Sequence, residues 1–373
     1  MKDKINILSL FDGIACGYEA LNKAGIEVDT YYASEIDKNA MSIASKNHPD
    51  IIQLGDVNDW KNWDINWESI DLLIGGSPCT SVSVAGKQAG FGGQSGLFFR
   101  YVEILEHLKK YNPNIKFLLE NVKMKKEWED IITNNLGIEP IFINSALLSA
   151  QSRKRLYWTN IPNITIPEDK HIILQNILFE NTYTDIDKSY CIDANYHKGL
   201  PDDYISRARR QHVCQILQEY IVPINKTLII IEKELQEGKL GYFRKDSQAN
   251  RVYYPTTKGI TLCGEAGGGC AKMGQYFFGE IIKDFKDLDL SKYKYPCFIL
   301  QTNKGNEVLL IGYIRKLTPI ECERLQTLPD NYTAYGIDGK ISNSQRYKCI
   351  GNGWTVDVIT HIFSFLKQEL DKQ

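Results

Sequence analysis

The sequence predicts a doubly wound α/β domain with a second, smaller domain inserted into it. Three observations carry this reading. Strand-like and helix-like stretches alternate through the first 160 residues. A glycine turn, Phe11-Asp12-Gly13-Ile14-Ala15, sits where the first strand gives way to the first helix. The alternation stops near residue 162 and resumes near 315.

The elements follow in order. INILSLF (5–11) is a short apolar run with β-branched residues, and Ala15 to Ala24 reads as a helix closed by Gly25. VDTYYASE (28–35) is a second strand, followed by a helical stretch ending at His48-Pro49. IIQLGDV (51–57), DLLIGG (71–76) and KFLLENV (116–122) are further strands, with a helix near 97–110 between the last two. EPIFINSALLS (139–149) and RLYWTNI (155–161) form a final pair. Strands apolar on both faces require helices on both sides of the sheet.

Residues 163–314 form the second domain, polar and irregular at first, with a long helix expected over 204–237, broken near Pro223, and a glycine cluster at 264–269. At 315–373 the chain returns to the first domain. Thr318 caps a helix with Pro319 in its first position and Glu321 completing a capping box. The last helix, 356–370, lines Ile359, Ile362, Phe363, Leu366 and Leu370 along one face, so it packs on a core.

Composition narrows the function classes. Hydrophobic residues make up 43% and charged residues 24% of 373, an ordinary globular balance. No apolar run approaches the roughly 20 residues that span a bilayer. The apolar N-terminal stretch meets Asp12 and Gly13 without a small-residue cleavage site, so it is read as a buried strand and the protein is expected in the cytoplasm. Nine scattered cysteines without a CxxC pair argue against both a disulfide framework and a structural zinc. A net charge of −2 does not announce a nucleic-acid binder; any such grip needs a local basic surface.

Gly13 lets the backbone approach a ligand, and the following helix start offers unpaired N–H groups. Glu35, about 20 residues on, is placed to accept from a ribose, and Asp56 from an adenine amino group. Together they describe a nucleoside crevice, without distinguishing S-adenosylmethionine from a nicotinamide. Ala15 and Tyr18 occupy the other glycine positions of a full G-x-G-x-x-G, which favours a cofactor without phosphates there.

Cys79, in Gly75-Gly76-Ser77-Pro78-Cys79, projects from the end of the fourth strand into the same crevice. A lone cysteine is more often a buried structural residue. Its company shifts the balance: Glu120-Asn121 ends the neighbouring strand, and an acidic group there is costly without a partner or a task. Arg153 and Arg155 in QSRKR stand at i and i+2, on one side of an extended segment.

GGSPCTSVSVAG, FLLENV and QSRKRLYW resemble the Pro-Cys, Glu-Asn-Val and Gln-x-Arg-x-Arg signatures of the cytosine-5 DNA methyltransferases. FDGIACG, ASEID and GDV precede them, and RKLTPIECERLQTLP and QRYKCIGNGWTVDVI follow, in the family's order. Ala15 and Cys16 replace common glycines, Thr80 a glutamine and Trp354 a valine. The resemblance implies a Rossmann-like methyltransferase sheet, S-adenosylmethionine as methyl donor, double-stranded DNA as partner and no metal. Cys79, Glu120, Arg153 and Arg155 are the implied catalytic residues. Around the cofactor it implies Phe11, Asp12, Gly13 and Ile14, then Glu35, Ile36, Asp56 and Val57, and finally Pro78, Asn352 and Trp354. Ser83, Gln151, Arg251, Thr261 and Leu262 would contact DNA, with 163–314 as target-recognition domain. A restriction endonuclease sharing the site is a further partner the resemblance raises, and a monomer is expected.

The chemistry expected is thiolate addition at cytosine carbon 6, which makes carbon 5 nucleophilic. Glu120 would share a proton with ring nitrogen 3, Arg155 bind the ring oxygen and Arg153 support the thiolate. The base must leave the duplex, and the glycine-rich run 81–96 has the composition of a loop that closes over it, or of an ordinary surface loop. Arg207, Arg209 and Arg210 suit phosphates, though taken alone such a cluster is more often a solvated helix face. Three alternatives stay open: the same chemistry on a tRNA cytosine, a nicotinamide oxidoreductase, and a regulator without activity. The oxidoreductase leaves Cys79, Glu120 and the arginines without roles, and the retained Cys79 and Glu120 argue against the regulator.

Overall fold

In the computed structural model, residues 4–78, 96–179 and 317–372 are described with their side chains; between 180 and 316 only short backbone strands are described. Cys79, Ser83, Thr261 and Leu262 therefore lie outside the described residues, as do 81–95, the arginines at 207, 209 and 210, and the glycine cluster. Arg251 is described only as the first backbone position of a strand, Arg251–Tyr253.

Seven strands form the central sheet: β1 (Ile5–Leu10), β2 (Val28–Ser34), β3 (Ile51–Gln53), β4 (Ile70–Gly75), β5 (Lys116–Val122), β6 (Ile141–Asn144) and β8 (Lys154–Thr159), with the short β7 (Gln151–Ser152) just before β8. Their order is β3-β2-β1-β4-β5-β8-β6. All pairs are parallel except those made by β8, which runs antiparallel to β5 and β6. This is the doubly wound sheet expected, and its topological switch point lies between β1 and β4, where such sheets open a ligand crevice at the carboxyl ends of the strands.

Strand side chains alternate between two cores, as the two-residue period demands. Ile7, Leu72, Ile74 and Leu118 face one layer with helices α1 (Cys16–Lys23), α2 (Lys38–Asn47) and the C-terminal helix. Leu8, Leu10, Leu73, Phe117 and Leu119 face the other, with α3 (Leu97–Tyr111) and α4 (Lys126–Leu136). Thr318 caps α5 (Pro319–Leu325) through the expected capping box with Glu321. After α6 (Asn343–Asn352), α7 (Val356–Leu370) buries Ile359, Ile362, Phe363 and Leu366. Among the described residues no helix is long and apolar enough to cross a membrane.

The long helix expected over 204–237 is corrected: strands occupy His212–Gln215 and Leu228–Ile230. Short apolar runs such as LIII fit either period, and here sheet pairing decided. Leu228–Ile230 belongs to a four-stranded sheet with Lys239–Phe243, Arg251–Tyr253 and Gln275–Tyr276. The third strand is shorter than IIQLGDV predicts, because Gly55 turns the chain at φ 76° and Asp56 caps a 3-10 helix, Val57–Asn62.

Candidate active site

The first wall is the turn after β1. Phe11, Gly13 and Ala15 all adopt left-handed backbone, with φ near 58°, 63° and 62°. The Gly13 N–H donates to Glu35 Oε2 at 2.9 Å, and the N–H groups of Ile36 and Asp37 donate to Glu35 Oε1 at 2.7 and 2.8 Å. Glu35 thus joins the carboxyl ends of β1 and β2. Ile36 beside it is 69% exposed, an apolar face standing at a strand end.

Asp12 points inward from this turn. Its Oδ1 accepts from Ser9 Oγ at 2.6 Å and Tyr31 Oη at 2.7 Å. Its Oδ2 is sealed from solvent and meets no donor among the described residues. Burial is the main reason that the carboxyl is pushed up to about 6, against the two hydrogen bonds that favour its charge. An enclosed carboxylate oxygen without a donor fits a ligand that brings a cationic or N–H group, as the aminoacyl end of S-adenosylmethionine does. Asp56 is exposed; its Oδ1 accepts from the Asn58 N–H at 2.9 Å.

Two expected cofactor residues present no side chain. Val57 is 4% exposed and packed in the core, and Ile14 is fully buried with its carbonyl accepting from Tyr332 Oη at 2.9 Å. Each can meet a ligand through its main chain only. Cys16 is also buried, and burial pushes its thiol up to about 12, so it is no rival nucleophile.

The second wall holds the acid and the arginines. Glu120, near the end of β5, pairs through Oε1 with Arg155 Nε at 2.8 Å, both side chains being about 10% exposed. The antiparallel β8 makes this possible: Arg155 lies opposite Val122, so β8 starts where β5 ends. Asn121 donates to Ser77 Oγ and to the Ser77 carbonyl, at 3.2 and 3.4 Å. That bond holds the Gly76-Ser77-Pro78 segment, which leads into Cys79, against the Glu120 strand. A Cβ at Gly76 would stand 3.2 Å from Glu120 Oε2 and 2.9 Å from Trp354 Nε1. Trp354 also approaches Gly17, where a Cβ would lie 3.6 Å from its ring. The indole therefore reaches from α1 to the loop after β4; the glycine at 76 leaves room for it, while the one at 17 makes room for Ile74 and Tyr31, 2.5 and 2.9 Å from where a Cβ would stand. Asn352, at the end of α6, is exposed.

Arg153 does not share Arg155's partner. Its guanidinium donates to the carbonyls of Gly351, at 3.3 and 3.4 Å, and Gly353, at 3.1 Å. Gln151, expected to contact DNA, is fully buried, and its Nε2 donates to Leu325 O at 3.2 Å and Gln326 Oε1 at 3.1 Å. Asn121 and Gln326 were missed from sequence. The Glu-Asn-Val pattern could have pointed to Asn121, and RKLTPIECERLQTLP contains Gln326, though that likeness gives it no role.

The chain matches the family described as C-5 cytosine-specific DNA methylase over residues 5–368. It belongs to that family. It is 27% identical to the orphan methyltransferase M.SPRI of Bacillus phage SPR, with 97% of each chain covered. It is 25% identical to the type II methyltransferase M.HhaI of Haemophilus parahaemolyticus, covering 97% of this chain and 95% of that one. In fold it is similar to the Entamoeba histolytica methyltransferase EhMeth, with TM-score 0.51, 16% identity and 99% of each chain covered. The Dnmt2 methyltransferase of S. pombe aligns with TM-score 0.50 and 16% identity over 99% of this chain and all of that one. The family membership makes the protein a methyltransferase, and the Glu120–Arg155 pair lies where its Glu-Asn-Val and Gln-x-Arg-x-Arg signatures meet.

Proposed function

We propose that the protein transfers a methyl group to carbon 5 of a cytosine flipped out of duplex DNA, with Cys79 as nucleophile. The observation that carries this reading is the buried Glu120–Arg155 pair, 2.8 Å apart, beside the Gly76–Pro78 segment that immediately precedes Cys79. Duplex DNA is preferred to tRNA because the family's own description specifies DNA.

In this mechanism the Cys79 thiolate adds to cytosine carbon 6 and the ring's π electrons move towards carbon 5. Glu120 holds a proton at ring nitrogen 3, and Arg155 donates to the ring oxygen while orienting Glu120. S-adenosylmethionine, when bound, supplies an electrophilic methyl group on a positive sulfonium. Asp12 would hold its ammonium, Glu35 its ribose hydroxyls and Asp56 its adenine amino group, with Ile36 and Trp354 supplying apolar surface. The cycle ends when the methylated carbon 5 gives its proton to solvent and the electron pair of that C–H bond re-forms the ring double bond, expelling Cys79 from carbon 6 as thiolate. Extruding the base costs a few kcal/mol, which contacts from the 163–314 target-recognition domain and residues after Cys79, Ser83 among them, would offset.

The test is methyl incorporation from labelled S-adenosylmethionine into duplex DNA and into tRNA, by wild type and Cys79→Ala. Incorporation into DNA by wild type alone is expected, with S-adenosylhomocysteine binding retained in the variant. Near-normal transfer by Cys79→Ala would overturn the nucleophile, and incorporation into tRNA alone would overturn the substrate. DNA bearing 5-fluorocytosine should trap a complex that survives denaturing gels, because fluorine cannot leave as a proton does.

A further inference from the structure

The Gln326 carboxamide is fully buried, and its two donors and two acceptor sites are all engaged. Nε2 donates to the carbonyls of Ile350, at 2.9 Å, and Gly353, at 3.2 Å. Oε1 accepts from Gln151 Nε2 at 3.1 Å and from Thr355 Oγ1 at 2.8 Å. The main-chain carbonyl of Gln326 accepts from the Val356 N–H at 2.9 Å. Apart from Gln151, every partner of the carboxamide lies in residues 350–355, where α6 ends and the chain turns into α7.

That turn carries Trp354, whose indole reaches Gly17 and Gly76 beside Glu120. Gln151, at the other end of the clamp, lies in the segment that continues into Arg153 and Arg155. Arg153 adds its own bonds to Gly351 and Gly353, so two side chains from different parts of the chain grip one set of carbonyls. The grip is polar, directional and sealed from water, so it sets the height of the turn more sharply than apolar packing would.

Resting on the function proposed above, we infer that Gln326 is a positioning residue for methyl transfer. It registers the Trp354 wall of the cofactor crevice against the strand that carries Arg153 and Arg155, without touching cofactor or base. Methionine at 326 would keep the shape and lose all four hydrogen bonds, leaving the turn to Arg153, to the Cys16 contact with the Trp354 main chain and to backbone bonds.

The experiment compares full-length wild type and Gln326→Met for S-adenosylhomocysteine affinity by calorimetry, duplex DNA affinity by fluorescence anisotropy, and single-turnover methyl transfer. Cofactor affinity is expected to fall roughly tenfold, the size of one to two net hydrogen bonds, and the single-turnover rate to fall with it. DNA affinity should stay within about twofold, since no DNA-facing group moves. Should Gln326→Met fail to fold, Thr355→Val removes one donor only and should show the same split on a smaller scale. Wild-type cofactor affinity and rate in a folded variant would overturn the inference. So would equal losses of cofactor and DNA affinity, which mark a general loss of structure. Wild-type protein that binds no S-adenosylhomocysteine would overturn the functional reading itself, and the inference with it.

Discussion

Asn121 and Ser77 are joined by two hydrogen bonds from one amide, to Oγ at 3.2 Å and to the carbonyl at 3.4 Å. These bonds tie the end of β5 to the segment before Cys79, so acid and nucleophile would depend on one buried side chain for their relative position. Asn121→Ala should leave cofactor affinity unchanged and lower the single-turnover rate by about tenfold to a hundredfold, because small misplacements of reacting groups are costly. Calorimetry with S-adenosylhomocysteine beside rapid-quench kinetics would check it. A wild-type rate in the variant would show that the tether is dispensable.

Asp12 makes stability depend on pH. Its carboxyl is pushed up to about 6 in the fold, against an ordinary value of 3.8. Below about pH 4 the group is protonated whether folded or unfolded, and its contribution to stability is fully present. As pH rises through 6 the folded protein must ionise a sealed carboxyl, and on the order of 3 kcal/mol is lost. Asp12→Asn should therefore gain stability over wild type at pH 8 relative to pH 5, while binding S-adenosylhomocysteine more weakly. Urea unfolding of both proteins at the two pH values measures this. An equal difference at both would contradict it.

Ala15 occupies a left-handed position, φ 62°, where many relatives are expected to carry glycine. Two effects compete on Ala15→Gly: relief of roughly 1 kcal/mol or more of Cβ crowding, and a comparable loss from unfolded-chain entropy and a buried methyl. They should nearly cancel. A β-branched side chain gains no such offset, so Ala15→Val should destabilise by about 2 kcal/mol or more. Thermal unfolding of the two variants distinguishes these outcomes, and a stable Ala15→Val protein would contradict the backbone assignment.

How legible each part was follows from how local its cause is. Lys116–Val122 and Val356–Leu370 were read to the residue, because apolar periodicity and caps are written in adjacent positions. Glu120 and Arg155 were found through short motifs, though their meeting depends on β8 running antiparallel to β5. The Gln151–Gln326 bond joins residues 175 apart and leaves no periodic trace, so nothing around either residue points to the other. Phe11 and Ala15 hid their left-handed backbone because neither is a glycine.

Gly76 lies between Trp354, of the proposed cofactor wall, and Glu120. A Cβ there would stand 2.9 Å from Trp354 Nε1 and 3.2 Å from Glu120 Oε2, both tighter than ordinary packing allows. Glu120 is pinned by Arg155, while the indole is only partly buried, so Trp354 should be the group that moves. Overpacking of this kind costs about 1–3 kcal/mol, which at the cofactor wall becomes a roughly tenfold or greater loss of S-adenosylhomocysteine affinity. Gly76→Ala should show that loss, and Gly76→Ala combined with Trp354→Val should recover much of it by emptying the space the methyl needs. If the double variant binds no better than Gly76→Ala alone, the collision is with Glu120. The single-turnover rate, rather than cofactor affinity, would then carry the defect.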